Sequence, residues 1–133
     1  MPNREGHLRF VWSAEDLANY DMSWVPTMSE YDAQTFLINA VVKDSSWSLW
    51  VVIMGDKETA EKYAVKMSIR GLGDPSVAVL HWGDVYSIEV GVKDILEDWK
   101  DVLELNKNMV RKLGRVRADG TQNITVEYEF WRK

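Results

Sequence analysis

The chain has 133 residues, 46% of them hydrophobic and 28% charged, with a net charge of −5, seven Trp, five Tyr and three Phe. This is the size and composition of one compact domain; it excludes disorder, and the acidic balance argues against a phosphate backbone as partner. The absence of Cys removes disulfides, thiolate catalysis and sulfur-ligated zinc, and fits a reducing compartment.

In chain order, Leu8 to Trp12 reads as a strand, Ala14 to Asp21 as irregular, and Trp24-Val25 runs into Pro26 and a polar stretch. Thr35 to Val42 is a nearly continuous apolar, β-branched run, expected of a central strand with both faces covered. Trp47 to Met54 is a second such run, and the short polar stretch Lys43-Asp44-Ser45-Ser46 predicts that the two pair antiparallel. Trp47 and Trp50 lie three apart, hence on opposite faces, so both are buried only if both faces of that strand are covered.

Gly55 to Glu61 breaks the β pattern and predicts a loop with one helical turn. Tyr63, Val65, Met67 and Ile69 then alternate with Ala64, Lys66, Ser68 and Arg70, a strand with one wet face. Gly71-Leu72-Gly73-Asp74-Pro75 predicts a turn, and Val77 to Trp82 the next strand, with Trp82 filling the interior. Val85 to Val90 is expected as a short strand. Val92 to Trp99 is expected as a brief helix with Ile95, Leu96 and Trp99 on one side, and Val102 to Leu105 as a strand. Asn106 can cap a short helix whose Met109, Val110 and Leu113 share a face, ended by Gly114. Ile124, Val126, Tyr128 and Phe130 alternate along the last strand. About seven short strands with only short helical segments between them indicate one all-β domain, an antiparallel sandwich or barrel with one or two short helices.

Chemistry is scarce. His7 and His81 lack metal-ligand spacing and read as structural. Glu127 and Glu129 share a strand face, as acid–base pairs can, but they alternate with apolar residues and read as the wet side of a half-buried strand. No Gly-rich loop follows a strand and opens a helix, and no Ser sits in a nucleophile elbow. No cofactor and no metal are expected. Without an apolar leader or a run near the ~20 residues that cross a bilayer, a cytoplasmic or cytoplasmic-and-nuclear location is expected; Asn123-Ile124-Thr125, formally a glycosylation sequon, is then an accident of composition.

Charge is uneven. Lys107 to Arg117 carries five bases and no acid, so with the whole chain at −5 the remainder sums to −10. Glu89 to Glu104 carries six acids against two Lys. Both runs read as solvated faces or, alternatively, as complementary docking patches. Trp24, beside Pro26, is a candidate for a partly exposed anchor.

From Ser48 the order of features becomes specific. Ser48 to Gly55 is a hydrophobic strand ending in Gly, followed by a charged loop and Ala60-Glu61 entering the next strand through Tyr63. Leu80-His81-Trp82 precedes Ser87-Ile88, Leu103-Glu104-Leu105-Asn106 leads into Met109, Val110 and Leu113, and Asn123-Ile124-Thr125-Val126 closes the pattern. Ser23-Trp24-Val25 stands about a dozen residues before the strand containing Phe36. This ordered spacing over residues 8 to 131 resembles the Seven-in-absentia (Sina) substrate-binding domain, of the TRAF-like β-sandwich group. The resemblance implies a TRAF-like sandwich that commonly dimerises and docks extended peptides beside an edge strand. It places the peptide site at Leu8, Phe10, Met22, Ser23, Trp24 and Pro26. Ser23 stands where the family has Asp, which removes a charge from the groove, and only Pro2 to Gly6 remain ahead of the first strand to complete it. Family ligases carry RING and zinc modules ahead of this domain; a chain without Cys holds neither, so an excised recognition domain or an adaptor, not an enzyme, is expected. Truncation of Trp24 is expected to weaken peptide capture and leave the fold intact. The alternative is a Trp-rich sandwich binding a glycan or another small ligand; an enzyme using carboxylates ranks third.

Overall fold

The computed structural model describes residues 4–13, 21–43, 46–71, 76 and 78–133. Asp44 and Ser45 of the first hairpin loop, residues 72–75 of the Gly-Pro turn and residues 14–20 lie outside the described residues. Among the described residues, eleven strands and three short helices follow in the order β1 (Arg4–Ser13), β2 (Met22–Ser23), β3 (Thr27–Tyr31), β4 (Gln34–Lys43), β5 (Ser46–Ile53), α1 (Lys57–Ala60), β6 (Tyr63–Arg70), β7 (Ala78–Asp84), β8 (Tyr86–Ser87), α2 (Val92–Asp98), β9 (Leu103–Asn106), α3 (Lys107–Leu113), β10 (Arg115–Val116) and β11 (Thr121–Arg132). The fold is an all-β sandwich, antiparallel except where β5 and β8 run parallel over two residue pairs. One sheet has the order β1-β11-β6-β7, with β10 beside β11; the other is β2-β4-β5-β8, with β3 also on β4 and β9 also on β5.

The alternating strands bury one face each, as their period requires. Val65, Met67 and Ile69 of β6 and Ile124, Val126 and Phe130 of β11 are buried between the sheets. There they meet Phe36, Ile38, Trp47, Leu49, Val51 and Ile53 of the opposite sheet. Phe36 stacks on Phe130 at 4.4 Å between centroids and meets Tyr63 edge-on at 5.5 Å.

β5 is buried on both faces, and the reason is α2. Trp47 points into the sandwich, whereas Trp50 and Val52 form a second cluster with Ile95 of α2 and Val102 on the outer face. The three-residue spacing of the two Trp therefore serves two cores. β4 has a half-covered outer face, its buried residues alternating with intermediate ones.

Helix α2 is pinned by Tyr86, whose hydroxyl donates to Asp98 Oδ2 at 3.0 Å and accepts from the Asp101 backbone N–H at 3.1 Å. Burial, seconded by the Asp98 carboxylate, pushes the Tyr86 phenol up to about 12 from its ordinary 10. The neutral phenol is thus favoured by folding. Its contribution is fully present below pH 10 and is lost as pH rises toward 12. Tyr86→Phe should cost about 1 kcal/mol at neutral pH and flatten the alkaline fall in stability, read by urea unfolding on either side of pH 10. An unchanged alkaline slope would assign that fall to other groups.

Helix α3 begins at Asn106, whose Oδ1 accepts from the Met109 N–H at 2.8 Å, and it buries Val110 and Leu113 as the spacing predicts. Gly114 ends it for a different reason than expected. Its φ is −85°, not left-handed, and a Cβ there would stand 2.8 Å from Gln122 Nε2. Close approach, rather than backbone freedom, selects glycine.

Trp82 is a correction. Its register partner is Lys66, which alternates with the buried Val65 and Met67, so Trp82 faces outward and is 59% exposed. The 85–90 segment also contributes less strand than its apolar content suggests, only Tyr86–Ser87.

Candidate functional site

The first strand is longer than its apolar core suggests. Arg4 to Ser13 pairs along its whole length with β11, from Arg4 opposite Phe130 to Ser13 opposite Thr121. Gly6, Leu8 and Phe10 fall on the inner face, opposite the buried Tyr128, Val126 and Ile124. Among the described residues β1 pairs with β11 alone and is the edge of its sheet.

The segment that the sequence leaves irregular around Trp24 is the edge of the other sheet. Met22 and Ser23 pair with Val42 and Val41 of β4, and the Trp24 N–H donates to the Ala40 carbonyl at 3.2 Å. Pairing resumes with Thr27 opposite Ile38. Val25 and Pro26 therefore stand against Asn39 alone, two residues against one, which is a β-bulge. Proline explains its place, since it has no N–H for the ladder. The bulge throws Val25 out to 89% exposure, and Met28, on the outer face of β3, is 66% exposed.

Trp24 falls on the inner face with Met22, and this brings the two sheet edges together. Its ring meets Phe10 of β1 edge-on at 5.5 Å and Trp47 at 6.3 Å, and Phe10 meets Trp47 at 5.4 Å. These three rings close the seam of the sandwich between β1 and β2. Edge-to-face contacts of this kind add about 0.5–1.5 kcal/mol each beyond the area buried.

The six residues expected to form the site divide accordingly. Phe10 and Trp24 come into contact across the seam, and Leu8 and Met22 are half-buried and pack on the same core. Ser23 and Pro26 are exposed, Ser23 on the outer side of β2. A shallow groove of about 210 Å³ runs beside them, lined by Asp21, Met22, Ser23, Val41, Val42 and Lys43. Trp24 is half-buried, in keeping with a partly exposed ring, but it packs on the core, so removing it disturbs packing as well as surface. The sequence reading misses Val25, Met28 and Trp47. Pro26 breaking an otherwise strand-like stretch was the available signal for the first two.

A larger groove of about 410 Å³ lies on the outer face of the other sheet, lined by His7, Lys66, Ser68, Glu127 and Glu129 among others. Glu129 is engaged by Lys66 Nζ at 3.6 Å. His7 is on β1 and His81 on β7, the two edges of one sheet, about 14 Å apart at ordinary strand spacing. They do not converge. Among the described residues no three His, Asp or Glu gather closely enough to hold a metal ion, and no helix is long and apolar enough to cross a membrane.

No protein-family model matches the chain, and no curated protein matches it.

Proposed function

We propose that this chain is a protein-binding module that captures an extended peptide as an added strand beside β1, over the Phe10–Trp24 seam. Such a module corresponds to the substrate- or adaptor-recognition domain of Sina-type ubiquitin ligases, acting in the cytoplasm or nucleus. The observation that carries this reading is the convergence, at a single seam, of Phe10 and Trp24, from the edge strands of two different sheets. Of the two edges, β1 is the better acceptor. Its ladder runs ten residues without interruption, whereas the β2–β3 edge is blunted by a bulge and a proline. Backbone hydrogen bonds to β1 would supply affinity, and the apolar side chains beyond the seam, Val25 and Met28, would supply selectivity. With Ser23 in place of a carboxylate, the groove favours a peptide that does not need to place a cation there.

The exposed Val25 and Met28 give a cleaner test than Trp24. Val25→Asp with Met28→Asp should weaken capture of extended peptides at least ~10-fold, about 1.4 kcal/mol, with little change in melting. Trp24→Ala should lower both. Amide exchange should slow along β1 when peptide binds. Unaltered capture by the Asp double variant, or protection confined to another edge, would reject this site. A second reading has one observation in its favour: Trp82 is solvent-exposed beside Trp131, at 5.5 Å between centroids, a platform on which a sugar ring could stack. Binding on a glycan array that is lost in Trp82→Ala would favour it.

A further inference from the structure

The outer face of the β1-β11-β6-β7 sheet carries a hollow between β11 and β7 that peptide capture does not use. Its shape follows from side-chain size and register. Glu127 of β11, Ser68 of β6 and Leu80 of β7 stand in one row, with Arg70 and Ala78 paired in the next. Ser68 and Arg70 alternate with the buried Met67 and Ile69, and Glu127 with the buried Val126 and Tyr128, so all three turn outward. The small Ser68 and Ala78 leave a depression of about 190 Å³ walled by Glu127, Arg70 and Leu80. Drug-sized sites begin at about 300 Å³, so an occupant of this one is small.

Two opposite charges face each other across the hollow. Glu127 and Arg70 are both exposed, and as diagonal neighbours of an antiparallel pair they lie about 7–8 Å apart. Their side chains are long enough to meet. Yet among the described residues neither enters an ion pair; those that form use Lys66, Lys93, Arg132 and Lys133. Leu80, 58% exposed, stands beside them as an apolar wall.

We propose that this hollow binds a free α-amino acid with an apolar side chain, its ammonium on Glu127, its carboxylate on Arg70 and its side chain against Leu80 and Ala78. The pair of signs selects the class. A dianion meets like charge at Glu127 and a diamine meets it at Arg70, whereas a zwitterion satisfies both. The two charges of an α-amino acid sit on one carbon. Two charge-assisted hydrogen bonds of ~2.8 Å and the width of that carbon fill the gap, and a guanidinium fork matches a carboxylate. A peptide end offers only one of the two charges. The half-buried Ser68 hydroxyl adds a donor for the carboxylate. Because both charges are open to solvent they are screened, which sets the dissociation constant on the order of 1 mM.

Amide chemical-shift titration of the whole chain with L-leucine tests this. Signals of Ser68, Arg70, Leu80 and Glu127 should move together and saturate. Leucinamide lacks the carboxylate and N-acetyl-leucine lacks the ammonium, so each should bind at least ~3-fold more weakly, the size of a screened ion pair. Arg70→Gln and Glu127→Gln should each weaken leucine to the same degree, with circular dichroism melts confirming the fold. Absence of a saturable shift at tens of millimolar leucine would overturn the proposal. So would equal binding of either analogue, or indifference to both substitutions. No peptide is present in the titration, so capture beside β1 is read independently.

Discussion

Trp47→Ala is expected to lower the unfolding free energy by about 3–5 kcal/mol, a large share of the ~5–15 kcal/mol that holds a domain of this size together. Trp47 is 1% exposed and lies opposite Val42 of β4 on one side and Leu105 of β9 on the other. Its ring is also the surface against which Phe10 and Trp24 rest edge-on. Truncation opens a cavity between the sheets that strands tied on both sides by hydrogen bonds cannot collapse to fill. The seam should loosen with it, so peptide capture beside β1 falls even where the variant remains folded. Trp47→Phe keeps most of the volume and should cost about half as much. Urea unfolding followed by circular dichroism measures both. A loss below about 1 kcal/mol for the Ala variant would mean that the three rings do not hold the edges together.

Gly6→Ala should cost about 1–3 kcal/mol, large for a single methyl on an edge strand. Gly6 faces Tyr128 in the β1–β11 register, and a Cβ at Gly6 would overlap the Tyr128 hydroxyl and ring. The tyrosine lies across the glycine, an aromatic ring covering a residue with no side chain of its own. The ring is 9% exposed and packs against Phe130 at 5.2 Å between centroids, so swinging it aside for the new methyl disturbs that contact. A double-mutant cycle isolates the effect. In a Tyr128→Leu background the same Gly6→Ala change should be nearly neutral, leaving a coupling of about 1–2 kcal/mol. Equal costs in the two backgrounds would assign the glycine to the backbone instead of to the ring.

Of these two residues, Trp47 stands out in the sequence and Gly6 does not. Gly6 sits in a polar stretch with nothing to mark it, because its partner is 122 positions away and only the β1–β11 register makes them neighbours. Trp82 misleads for the opposite reason. It follows Leu80-His81 in an apolar strand, and large rings usually go inside, yet parity against Lys66 and Ser68 turns it and Leu80 out to solvent. Trp24 lies between these cases. Its importance is visible beside Pro26, but its half-burial follows from Phe10 and Trp47, which reach it from two other strands.

The residues that repeat with period two along β6 and β11, the apolar runs of β4 and β5, the Asn106 cap and the all-β class were determined by the sequence alone. Local sterics and the side-chain alternation of an extended backbone express these without help from the rest of the chain. Which apolar face is covered by what, and hence why both Trp47 and Trp50 are buried, required α2 to be seen lying on the outer face of β5. The tertiary structure likewise decided that β1 and the bulged β2–β3 segment are neighbouring edges of two sheets, and that Phe10 and Trp24 meet there. Register and layer packing are set by contacts far apart in the chain, and local pattern does not carry that information.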